Sequence, residues 1–137
     1  MTICTQGRQK LFGDVGADSI SARMLKAIWE ETLALFPTVQ CSKFVIMPNH
    51  FHAIIEIQRA DMESAPTLSE VVQTFKRYST IEYARLVKQG AAAPFDKRVW
   101  QRSFHDHILR NERGYRRVWE YIDTNPQKWE QDCFYIP

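Results

Sequence analysis

Cysteine is scarce in this chain, and what there is cannot form a framework: Cys4, Cys41 and Cys133 are odd in number, far apart and without a Cys-x-x-Cys pair. That excludes a disulfide-stapled fold and a cysteine zinc site, and leaves three free thiols. Long apolar runs are missing as well. No stretch approaches the roughly 18 residues of a spanning helix, and the opening MTICTQGRQK lacks the apolar core of a signal peptide, so a soluble, cytoplasmic protein with no membrane partner is expected. Nor is there a Gly-x-x-x-x-Gly-Lys loop to cradle nucleotide phosphates. Net charge is only +2, so bulk charge does not announce a polyanion ligand. What remains is an ordinary globular composition: 137 residues, 45% of them hydrophobic, enough for a single domain over residues 1–137 with its own core.

The charge that is present is unevenly spread. Between Lys97 and Arg117 the chain carries Lys97, Arg98, Arg102, Arg110, Arg113, Arg116 and Arg117 against only Asp106 and Glu112. Such a stretch suits a phosphate backbone, and it equally suits a solvated face.

Periodicity organises the rest. Thr2 to Thr5 is β-prone and reads as the end of a strand, and Gly7 to Gly16 reads as a loop. Leu25, Ile28, Trp29, Leu33 and Phe36 follow helical spacing up to Pro37, with Asp18, Ser19 or Ser21 as the cap. Cys41 to Gln58 is strand-like, interrupted at Pro48-Asn49. After a polar linker from Arg59 to Pro66, Thr67 and Glu70 have the spacing of a capping box for a second helix that stops at Gly90. A strand is predicted from about Val99 to Leu109, and Asn111 caps a third helix that ends before Pro126. This order predicts an α+β domain with a mostly antiparallel sheet, covered by helices on one face and open to a ligand on the other.

All four histidines fall in two His-x-His units, His50-Phe51-His52 and His105-Asp106-His107. On a strand, residues two apart share a face, so each unit can present paired imidazoles. In the run from His50, Phe51, Ala53, Ile55 and Ile57 form the apolar face, and His50 and His52 lie opposite. Two neutral imidazoles there could chelate a divalent metal with positions left open for substrate; they could also be polar strand residues. His105 and His107 are the weaker pair, and either could lie near the first and touch substrate. In the third helix Tyr115, Val118, Trp119 and Ile122 form the buried stripe. Tyr121 and Asn125, one turn apart, project from its flank. A tyrosine hydroxyl can be a covalent nucleophile if it is activated, and the Asn125 amide oxygen could serve as a third metal ligand. An interfacial tyrosine with a hydrogen-bonded hydroxyl explains the spacing equally.

Four ordered blocks go further than these spacings. Val45-Ile-Met-Pro-Asn-His50-Phe-His52-Ala-Ile-Ile, the segment from Leu68 to Lys76, the segment from Trp100 to Glu112, and Trp119-Glu-Tyr121-Ile-Asp-Thr-Asn125-Pro126 together resemble the HUH single-strand transposases, especially the REP-associated tyrosine type. The resemblance implies a ferredoxin-like or RRM-like sheet. It also implies His50, His52 and Asn125 as ligands of a divalent metal ion, Mg²⁺ or Mn²⁺, and Tyr121 as the nucleophile. The reaction implied is attack on single-stranded or hairpin DNA to give a 5′-phosphotyrosine and a free 3′-hydroxyl, followed by rejoining. The protein would then associate with the nucleoid when bound to DNA, as a monomer or a homodimer. Lys76, Arg77, Arg102, His107 and Arg110 are candidate DNA-binding residues, with Trp100 or Phe104 as stacking surfaces. Family members usually carry residues before the Thr2–Thr5 block, so a shortened first strand with reduced activity is expected. The competing expectations are a truncated or domesticated module that binds DNA hairpins without cleaving them, and a metal-dependent hydrolase of small molecules, which would need a deep pocket.

Overall fold

A computed structural model describes residues 1–15, 18–58 and 65–137; the linker expected between Arg59 and Pro66 lies largely outside the described residues. The interruption at Pro48-Asn49 is a two-residue turn. It joins β2 (Val39–Met47) to β3 (His50–Ile57), with Met47 opposite His50. Proline's fixed φ suits the first corner of such a turn. β1 (Thr2–Cys4) pairs with the other edge of β3, so the sheet order is β1-β3-β2, antiparallel throughout.

Register makes the two faces explicit. Ile3, Phe51 and Ile46 lie in one cross-strand row and face the core; Thr2, His52 and Val45, then Cys4, His50 and Met47, form rows on the other side. The core face is covered by α1 (Ile20–Ala34) and α2 (Leu68–Lys88). Ser19 caps α1, and Thr67 with Glu70 forms the expected capping box on α2. Gly90, at φ +73°, closes α2: its N–H donates to Val87 O and the next N–H, of Ala91, to Leu86 O, a Schellman pair that needs the left-handed residue.

Between these layers Trp29, Phe51 and Phe75 meet with ring centroids 5.0–5.2 Å apart. All three are fully buried, so truncating any of them would cost about 3–5 kcal/mol. Trp100, a candidate stacking surface in the sequence, belongs to this core: it is 4% exposed, and its indole N–H donates to Ser79 Oγ. Phe104 packs half-buried against the same cluster.

The strand expected over Val99–Leu109 does not form. Only isolated bridges, Thr5 with Trp100 and Thr2 with His105, tie that segment to β1. The segment takes the position a fourth strand would occupy, but its backbone bonds reach only Thr2 and Cys4 of β1 and Gln6 beyond it, too few to propagate a ladder. The third helix, α3 (Glu112–Thr124), is capped by Asn111 and ends before Pro126, both as expected, although the residue before the proline stays helical. The chain does not leave helical geometry at Asn125-Pro126: Asn125 is helical (φ −56°, ψ −43°) and a 3₁₀ segment runs on to Gln131. Pro126 sits in the first turn of that segment, where its missing N–H is not needed.

α3 and the 3₁₀ segment lie over the histidine face. The expected α+β architecture holds, and the face opposite α1 and α2 is partly covered. No helix among the described residues is long and apolar enough to cross a membrane.

Candidate active site

Strand parity places His50 and His52 side by side, and the structure adds what surrounds them. Their ring centroids are 4.5 Å apart, and both residues are buried. Phe134 lies 4.7 Å and Trp129 6.0 Å from the His50 ring. Burial of this kind penalises the imidazolium, so His50 is pushed down to about 4, although Asp132 and Asn125 pull the other way. His52 is pushed down to about 3, by burial first and by His50 second. Both rings are neutral at pH 7 and available as ligands.

Neighbours orient both rings and fix the tautomer of His50. The Asn49 amide donates to the carbonyls of Arg8 and Phe134, which turns its Oδ1 towards His50 Nδ1 at 2.8 Å. Because a carbonyl oxygen only accepts, Nδ1 carries the proton and Nε2 keeps its lone pair. His52 Nδ1 is held 2.8 Å from Thr2 Oγ1 of the adjacent strand. The two Nε2 atoms are buried without a hydrogen-bond partner among the described residues.

A third orphaned acceptor is Asn125 Oδ1. The amide of Asn125 donates from Nδ2 to Asp132 Oδ2 at 2.7 Å, leaving its oxygen unpartnered and buried. Asp132 itself was not anticipated. Its side chain is 0% exposed, its Oδ1 accepts from the Phe134 N–H, and its Oδ2 is 3.6 Å from His50 Nε2. With both imidazoles neutral, this buried carboxylate has no cationic partner among the described residues, an arrangement that is costly unless a cation shares the site. Ligand atoms of His50, His52 and Asp132 all lie within 4.8 Å of one another, the one such group among the described residues. Two imidazole nitrogens, a carboxylate and an amide oxygen form a donor set that fits a divalent metal.

Tyr121 reaches the same place within one chain. Its ring centroid is 5.4 Å from that of His52, and the residue is 44% exposed. Burial of part of the side chain and the charge of Asp132 push its hydroxyl above the ordinary tyrosine range. Tyr121, Asn125 and Asp132 line an open cleft of about 410 Å³ together with Arg117, Glu120 and Lys128.

The remaining sequence candidates lie elsewhere. His105 and His107 are exposed and join no metal-binding group among the described residues; His105 pairs through its backbone with Thr2. Arg77, Arg102 and Arg110 are exposed, and Arg77 lies over the Tyr78 ring. The Lys76 ammonium is occupied by the carbonyls of Gln101, Arg102 and Ser103 and ties α2 to the bridging segment. Asp132, Arg117 and Lys128 line this cleft and were not among the site candidates named from the sequence. Asp132 follows a 3₁₀ segment with a non-helical kink at Lys128, so no sequence period leads to it. Arg117, by contrast, stands one helical turn before Tyr121, a spacing that could have marked it.

Known proteins resemble this chain in sequence and in fold. An uncharacterized protein of Haemophilus influenzae is 34% identical over 99% of this chain and 83% of its own length. A REP-associated tyrosine transposase of Escherichia coli is 25% identical, over 65% of this chain and 45% of its own length. Among solved structures, a REP-associated tyrosine transposase bound to a REP hairpin superposes with a TM-score of 0.65 at 22% identity, covering 93% of this chain and 64% of that one, a likeness of fold. The family described as IS200-like transposase matches residues 1–125, which takes in His50, His52, Tyr121 and Asn125: the chain belongs to the IS200-like transposase family.

Proposed function

We propose that this protein nicks and rejoins single-stranded DNA through Tyr121, as a metal-dependent transposase of the HUH single-tyrosine type. The observation that carries this reading is the convergence, in one chain, of an accessible tyrosine with two neutral imidazoles and an unpartnered amide oxygen. His50, His52, Asn125 and Asp132 would hold the metal, Mg²⁺ or Mn²⁺, which would supply Lewis-acid charge neutralisation at the phosphate. Tyr121 Oη attacks phosphorus and gives up its proton; the bond to the 3′ oxygen breaks, leaving a 5′-phosphotyrosine and a free 3′-hydroxyl. Reversal by a 3′-hydroxyl restores the phosphodiester and the tyrosine, so no nucleotide is consumed. The hairpin named for the structural relative supports a palindromic DNA element as substrate. DNA of this kind would place the protein at the nucleoid in the cytoplasm.

The test is a covalent protein–DNA adduct on a denaturing gel, formed with a hairpin-bearing single strand and Mg²⁺ or Mn²⁺. It is expected to disappear in Tyr121→Phe and in His50→Ala. An adduct that persists in Tyr121→Phe rejects the nucleophile. Hairpin binding with no adduct under either metal replaces the enzyme by a binding module.

A further inference from the structure

We propose that Arg117 and Lys128 form a phosphate-binding pair that seats the backbone of single-stranded DNA in the cleft beside Tyr121. The proposal rests on the function above and names residues of the substrate-binding surface that the sequence blocks do not mark.

Three observations support the pair. Both side chains line the cleft that holds Tyr121, one from α3 and one from the 3₁₀ segment. Neither has a carboxylate within ion-pair distance among the described residues, whereas the adjacent Arg116 is bound to Glu112 at 2.8 Å and does not line the cleft. Arg113, Arg117 and Tyr121 are spaced four residues apart, so they run along one line of α3 and lead from solvent to the nucleophile. The basic run of the sequence thus has a direction: its last member enters the cleft.

The chemistry matches a phosphodiester. A guanidinium offers paired N–H donors to two phosphate oxygens, and an ammonium adds a point charge. The cleft also contains two carboxylates. Asp132 is buried and turned to Asn125 and Phe134, so Glu120 is the anion left to oppose a phosphate. Two free cations and one opposing carboxylate predict effects of opposite sign; what separates them from a general charge effect is Arg116, a cation of equal charge outside the cleft, whose loss leaves binding unchanged.

Binding of a labelled oligothymidylate, followed by fluorescence anisotropy in EDTA over a salt series, tests this without any need for chemistry. Arg117→Gln and Lys128→Gln are each expected to weaken binding about three- to tenfold and to reduce the slope of log K against log salt by about 0.7, with about 1.4 for the double variant. Glu120→Gln is expected to tighten binding, and Arg116→Gln to match the wild type. An unchanged slope in the double variant, or an equal loss in Arg116→Gln, overturns the pair; thermal melts of each variant exclude misfolding as the cause. Unchanged slopes with a Tyr121-dependent adduct would reject the pair and leave the tyrosine chemistry standing. Flattened slopes with no adduct under any metal would do the reverse, and a wild type that does not bind the oligothymidylate overturns the pair.

Discussion

The amide of Asn49 decides which nitrogen of His50 is free, because its own N–H groups are tied to the carbonyls of Arg8 and Phe134. Single residues of this kind make the difference between two buried imidazoles and two ligands. Their burial also sets a pH dependence. The folded-state values, about 4 for His50 and about 3 for His52, lie below the ordinary 6.5. As pH falls below about 6.5 the unfolded chain therefore takes up protons that the native chain refuses, and stability is lost. Metal-free protein is expected to lose stability progressively as the pH falls from about 6.5 towards 4. Melting in EDTA across this range checks it, with the His50→Gln/His52→Gln variant showing a flatter profile. A wild-type melting temperature that does not change between pH 7 and 4 would contradict the neutral, buried assignment.

Among the elements, α3 is the one held most lightly. Of its residues only Ile122 is fully buried, while Tyr115, Val118 and Trp119 of the expected stripe are half-buried. Its second attachment is Lys43 on β2, whose ammonium is 2.7 Å from Asp123 Oδ1 and 4.2 Å from the centroid of the Trp119 ring. These two contacts bracket Tyr121 two residues before and two after, so they fix the rotation of the helix that carries it. Lys43→Met is expected to cost about 1 kcal/mol in urea melts, since both partners remain partly solvated. It should also slow adduct formation while leaving oligothymidylate affinity nearly unchanged. A variant with wild-type adduct rate would show that Ile122 alone holds α3 in place.

At the scale of the molecule, the site joins distant parts of the chain: Thr2 from one end, the β3 histidines from the middle, and Asn125 and Asp132 from the other end. A cation held there would stabilise the native state by linkage, by about 2.7 kcal/mol at a hundredfold excess over its Kd. Mn²⁺ is therefore expected to raise the melting temperature by several degrees. The shift should shrink in Asp132→Asn, which removes the charge and keeps the shape, and vanish in His50→Ala. No shift with either Mn²⁺ or Mg²⁺ would reject a metal at this position.

Local periods settled a large part of this protein. A period of two put His50 and His52 opposite Phe51 and Ala53, a period of 3.6 set Tyr121 beside Asn125, Thr67 with Glu70 and Asn111 announced two helix starts, and the first start was narrowed to Asp18, Ser19 or Ser21, of which Ser19 is the cap. Each depends only on residues within a turn or two of one another, so each could be read along the chain. What joined β3 to α3 was long-range packing. The same packing buried Trp100 in the core, turned Lys76 onto backbone carbonyls, reduced the expected fourth strand to two bridges and carried Asp132 to His50. Those outcomes depend on strand register and on the path of irregular segments, where no period links a residue to its partner, and only the tertiary structure decided them.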